Sequence, residues 1–162
     1  MTTPNIQNAI YPTGSAAYRS AKVDRSGKVQ GEYFSVSVPS GTTVAAGIIG
    51  LVPFQTGAKF NYDSSIFANA LGTSVTVSLG YIYDDNVTFT NQTAGFLALT
   101  AANTAGTKLV PNVEAGTAWK AIDSFVGNGA LANGWIVAVI GGATTGTTNA
   151  IYGQINLMYD QP

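Results

Sequence analysis

The sequence predicts an all-β protein, built as a single β-sandwich or jelly-roll-like domain with an extended N-terminal arm. Three observations carry this prediction. Charged residues make up only 9% of the 162-residue chain, against roughly 25% in an ordinary soluble domain. Thr, Ser, Asn and Gly stand in their place, and these residues disfavour helices and suit strands joined by tight turns. Apolar residues then alternate with small polar ones in several short runs, the period-2 signature of a strand. Clusters of Gly, Asn, Asp and Pro separate the runs and mark turns. The length fits one domain, able to bury enough surface to fold without covalent staples.

Residues 1–15 carry Pro4, Pro12 and Gly14 among Asn, Thr and Ser and read as an extended arm. A basic segment follows, with Arg19, Lys22, Arg25 and Lys28 supplying four of the seven basic residues. The division is therefore an arm and basic segment over 1–30 and a β-sandwich over 31–162. In the sandwich, Phe34, Val36 and Val38 alternate with Ser35 and Ser37, and Pro39 closes the strand. Val44 to Phe54 is nearly all apolar and reads as a buried strand with a bend or bulge at glycine. Ala58, Phe60 and Tyr62 alternate with Lys59 and Asn61. The clearest strand sets Val75, Val77, Leu79, Tyr81 and Tyr83 against Thr76, Ser78 and Gly80, and stops at Asp84-Asp85-Asn86.

Thr88 to Leu99 reads as one or two short strands, with Gly95 as a break, and Ala101 to Gly106 as a polar connection. Residues 117–126 fit helix or strand spacing, and the Gly and Asn that follow favour strand. Trp135 to Ile140 is a continuous apolar β run, followed by the turn-rich stretch Gly141 to Asn149. The last strand places Ile151, Ile155, Leu157 and Tyr159 on one face and Tyr152, Gln154 and Asn156 on the other.

The chain has neither histidine nor cysteine. That removes the commonest general base, the Ser-His-Asp and Cys-His devices, disulfides and thiolate metal sites. Ser26-Gly27-Lys28 has the end of a phosphate loop, but Lys22 stands where the earlier glycine belongs and Val29 where the hydroxyl belongs. Asp84-Asp85-Asn86 lacks the spaced ligands of a calcium loop and reads as a solvated turn. No cofactor and no enzymatic activity are expected. A net charge of −1 argues against a polyanion, so no nucleic-acid partner is expected. No apolar stretch is long enough to span a bilayer, and residues 1–15 lack the pattern of a secretory signal. No membrane partner is expected, and folding is expected in a cytoplasm.

The Arg19 to Lys28 cations recur every third residue, interrupted by Asp24. They suit the protection of a solvated edge strand, with pairing to acidic groups of a partner as the alternative. Of the seventeen aromatic residues, Tyr81, Tyr83, Tyr152 and Tyr159 are candidates for an oligomer interface, where tyrosine is enriched. Trp119 and Trp135 are candidates for a sugar-binding surface, with core packing as the alternative for both.

The stretch Asp63-Ser64-Ser65-Ile66 through Asn69-Ala70-Leu71-Gly72-Thr73-Ser74-Val75-Thr76-Val77-Ser78-Leu79-Gly80-Tyr81 resembles a pattern in small head proteins of tailed phages. So does the ending, an apolar strand, the turn Gly141-Gly142-Ala143-Thr144-Thr145-Gly146 and a last strand reaching Tyr159. The resemblance covers about half of the chain and leaves out the basic segment. It implies a β-rich capsid decoration (cement) protein, often trimeric, that binds the major capsid protein on the exterior of the virion. In that role Arg19, Lys22, Arg25 and Lys28 would contact the shell. The rival expectation is a fibre or spike module that binds a host receptor or glycan.

Overall fold

The computed structural model describes residues 6–7, 29–44, 47–84, 91–109, 130 and 132–159. Nine strands lie among them: β1 (Ile6–Gln7), β2 (Val29–Val38), β3 (Ile48–Phe54), β4 (Ala58–Ala68), β5 (Thr76–Tyr83), β6 (Gln92–Ala101), β7 (Thr107–Leu109), β8 (Gly134–Gly141) and β9 (Asn149–Tyr159). The first sheet has the order β1-β3-β8-β5-β6 and the second β2-β9-β4-β7. All pairs are antiparallel except β1 with β3. Every connection except β5 to β6 crosses from one sheet to the other, so the fold is the expected all-β sandwich. Two residues expected in the arm, Ile6 and Gln7, belong to the first sheet, and β2 begins at Val29, just before the expected domain start.

The core lies between the sheets. Phe34, Val36 and Val38 of β2, Phe60 and Ile66 of β4 and Ile155 and Leu157 of β9 face Val77, Leu79 and Tyr81 of β5, Phe96 of β6 and Ile136, Ala138 and Ile140 of β8. The alternations in β2 and β9 therefore bury the faces that they predict. In β3 the expected irregularity is real: the register to β8 shifts between Gly50 and Val52, so Leu51 is the extra residue and the four successive side chains Leu51, Val52, Pro53 and Phe54 are buried. A bulge of this kind bends the strand and re-aims its side chains.

β5 departs from simple alternation. It lies between β8 and β6, and both of its faces are buried, with Ser78 3% and Ile82 1% exposed. Ser78 Oγ donates to Thr93 O at 3.1 Å, which satisfies the buried hydroxyl. On the outer face of this first sheet, Ile82, Trp135 and Val137 form a second apolar cluster with Ile48 and Val139. β6 is one strand rather than two, with Gly95 inside it and register shifts against β5. The three-residue β7 was not anticipated. Residues 117–126 lie outside the described residues.

Tyr81 is 1% exposed, and burial, followed by repulsion from Tyr83, raises its phenol above the ordinary tyrosine value. The folded state therefore holds a proton that the unfolded chain releases at about pH 10. Stability from this group is fully present below that pH and is lost as pH rises beyond it. Denaturation midpoints should be level up to about pH 9 and fall above about pH 10, with tyrosinate absorbance from Tyr81 appearing only on unfolding.

Candidate binding surface

The two sheets differ on their outer faces. That of the second sheet carries an open groove of about 620 Å³, lined by Tyr33, Phe34, Ser35, Ser65, Phe67, Tyr152, Gly153 and Gln154. Strand register explains how these residues meet. Ser35, Tyr152 and Phe67 form one cross-strand row over β2, β9 and β4, and Tyr33, Gln154 and Ser65 form the next. The rings of Phe67 and Tyr152 stack at 5.7 Å with 20° between their planes. Tyr33 stands beside them, 73% exposed. Gln154 Nε2 donates to Asn156 Oδ1 at 3.0 Å, which holds the amide in place. Among the described residues no charged side chain lines the groove.

Two glycines shape it. Gly31 leaves the space into which the Gln154 side chain extends. Gly153 has φ +150°, and a Cβ there would collide with the Ser65 carbonyl of the neighbouring strand. β4 carries extra residues against β9 between Asn61 and Ser65, and Gly153 pairs just past this irregularity. Only glycine permits this backbone approach. Gly153→Ala is expected to destabilise the protein by about 1–3 kcal/mol, and urea denaturation measures this. A cost below about 0.5 kcal/mol would show that the strands part easily there.

The expected site residues fall in three places. Arg19, Lys22, Arg25 and Lys28 lie outside the described residues, as does Trp119. Tyr81 and Tyr83, expected at an interface, are each 1% exposed and sit in the core, with their rings 5.4 Å apart. Their alternation with small polar residues pointed inward, and a side chain enclosed by both sheets presents nothing to a partner. Tyr152 lies in the groove, half-buried. Tyr159 packs against the edge of the core, and its hydroxyl accepts from Gln55 N at 3.4 Å. Trp135 packs in the outer cluster of the first sheet, 3% exposed. Of the acidic turn, Asp84 is described, its N–H donating to Asn133 O at 2.9 Å. Among the described residues no three His, Cys, Asp or Glu side chains are grouped to hold a metal ion.

Tyr33, Phe67 and Gln154 were not singled out from the sequence. The signal for Tyr33 was present, because it falls on the polar face of an alternating strand beside Ser35 and Ser37.

No known protein family matches the chain, and no curated protein matches it. A search of solved structures finds the same fold in a chain described as "Capsid of Ralstonia phage GP4". The likeness has a TM-score of 0.58 at 18% sequence identity and covers 97% of each chain, so the two folds correspond along almost their whole length.

Proposed function

We propose that this protein is a virion structural component that decorates and stabilises a phage capsid by binding the major capsid protein, as a homotrimer on the capsid exterior. The observation that carries the reading is the end-to-end likeness of fold to a phage capsid chain. The scarcity of charge and the absence of histidine and cysteine agree with a role in contact rather than catalysis. A protein of this kind has no enzymatic activity. Capsid sites repeat many times, so modest contacts add when subunits are linked into an oligomer. Closed cyclic symmetry builds such an oligomer.

Labelled antibody and electron microscopy of purified particles test the reading. Label spread evenly over heads supports decoration, whereas label confined to tails, or absent from all particles, overturns it. In the proposed role the Arg19, Lys22, Arg25 and Lys28 cations pair with acidic groups of the shell. Replacing all four by glutamine should weaken binding to bare capsids about fivefold or more and flatten its salt dependence. Unchanged occupancy and unchanged salt dependence would remove this segment from the contact.

A further inference from the structure

We propose that the groove on the second sheet is a binding site for an uncharged carbohydrate, with Tyr33 as its stacking platform and Gln154 as its central hydrogen-bonding group. This inference goes beyond the virion role and does not rest on it.

The lining decides the class of ligand. A pyranose ring has apolar C–H faces and a rim of hydroxyls that both donate and accept. The groove matches both features. Tyr33 is 73% exposed, and the Phe67–Tyr152 stack lines the same groove, so aromatic surface is available to an apolar ligand face. The same lining carries the hydroxyls of Tyr33, Ser35, Ser65 and Tyr152. Hydroxyls donate and accept alike, and the Gln154 carbonyl oxygen adds an acceptor while its amide is tied to Asn156. The volume, about 620 Å³, falls in the range of small-ligand sites, about 300–1,000 Å³.

The same observations disfavour the other occupants. Among the described residues the lining carries no cation, so it offers nothing that would attract a phosphate, a sulfate or a nucleic-acid backbone. An extended peptide gains its affinity from main-chain bonds at a free strand edge. The groove instead lies across the faces of β2, β9 and β4, with β9 paired on both sides there; the outer edge of β2 borders the groove rather than forming its floor. An amphipathic helix needs a continuous apolar trough, and here Ser35, Ser65 and Gln154 interrupt it.

Saturation-transfer NMR and titration calorimetry of the full chain with maltoheptaose, cellohexaose, mannan oligosaccharides and galactan oligosaccharides test the proposal. At least one should bind saturably, in the micromolar to millimolar range. Tyr33→Ala and Gln154→Leu should each weaken that binding by about tenfold or more. Tyr33 is largely exposed and Gln154 lies on the outer face, so both variants should keep the wild-type melting temperature. Leu99→Ala, at an exposed position of the other sheet, should bind as the wild type does. Two results would overturn the proposal: no saturable binding to any of these sugars, or binding that survives both groove variants. If the groove variants instead lose capsid binding while the wild type binds no sugar, the surface is a protein contact. Particle labelling is read separately, so either reading can fail without the other.

Discussion

Replacing Phe96 by alanine should destabilise the protein by about 3–5 kcal/mol and lower its melting temperature by about 10 °C or more. Phe96 lies on β6 and is fully buried. Its ring stacks on Phe60 of β4 at 4.4 Å with 18° between the planes, and meets Tyr81 of β5 at 5.7 Å and 51°. One side chain thus links a strand of the second sheet to two strands of the first. Truncation removes the transfer energy of the ring and leaves a cavity that two β-sheets, each held by its own ladder, collapse onto only partly. The Phe60→Ala/Phe96→Ala cycle should show a coupling of about 0.5–1.5 kcal/mol, the part that belongs to the stacked pair. Leu99→Ala, in the same strand but 59% exposed, should stay within about 0.5 kcal/mol of wild type. A Phe96→Ala cost as small as that of Leu99→Ala in denaturant titrations would mean that the sheets are not clamped at this point.

The strands that were legible in the sequence are those with one buried face. In β2 and β9 alternation follows from the pleat, and the apolar positions Phe34, Val36, Val38, Ile151, Ile155 and Leu157 are all core. β5 was recognised as a strand, but not as one buried on both sides. Its second face holds Thr76, Ser78 and Gly80, residues that read as solvent-facing. Ser78 and Ile82 on that face are nevertheless buried, and a cross-strand hydrogen bond to Thr93 O makes Ser78 tolerable there. Burial of a second face depends on tertiary packing, which period-2 alternation does not encode. β7 was missed for a different reason. Three residues are too few to display a period, and the strand exists because Leu109 pairs opposite Ile66 in the second sheet.

The groove was less legible than the core. Tyr81 and Tyr33 are the same residue type in equally good strands, and they end 1% and 73% exposed. The difference is parity: Tyr81 shares a face with Val77 and Leu79, whereas Tyr33 shares one with Ser35 and Ser37. An aromatic on the polar face of a strand is therefore the informative case. Its partners could not be found in this way. Phe67 reaches Tyr152 only through the pairing of β4 with β9 past their irregularity, and Ser35 lies on the other side of the same row. Long-range register sets these contacts, and no local pattern carries it.

Thr145→Val should cost about 1–3 kcal/mol for the stranded Thr42 N–H alone, an unusually large effect for a loop residue. Thr145 is 3% exposed and lies in the β8–β9 connection. Its Oγ1 accepts from Thr42 N at 2.9 Å and donates to Pro39 O at 2.7 Å. Its own N–H donates to Thr42 O at 3.1 Å, and its carbonyl accepts from Gly41 N at 2.8 Å. The next residue, Gly146, donates its N–H to Leu71 O at 2.9 Å, which brings in the β4–β5 connection. The hydroxyl thus ties the β2–β3 connection to the β8–β9 connection, and the backbone of the next residue adds the β4–β5 connection at this end of the sandwich. Valine keeps the branched shape but supplies neither donor nor acceptor, so a buried N–H loses its partner with no water to replace it. The backbone bonds should survive, which confines the loss to the hydroxyl. Thr147→Val is the contrast: Thr147 is exposed, its Oγ1 donates to Ala70 O at 3.0 Å, and Asn149 Nδ2 donates to the same carbonyl at 2.6 Å. That change should cost no more than about 0.5 kcal/mol. Equal costs for the two variants in urea denaturation would show that water reaches Thr42 N–H and that the hydroxyl does not tie these connections together.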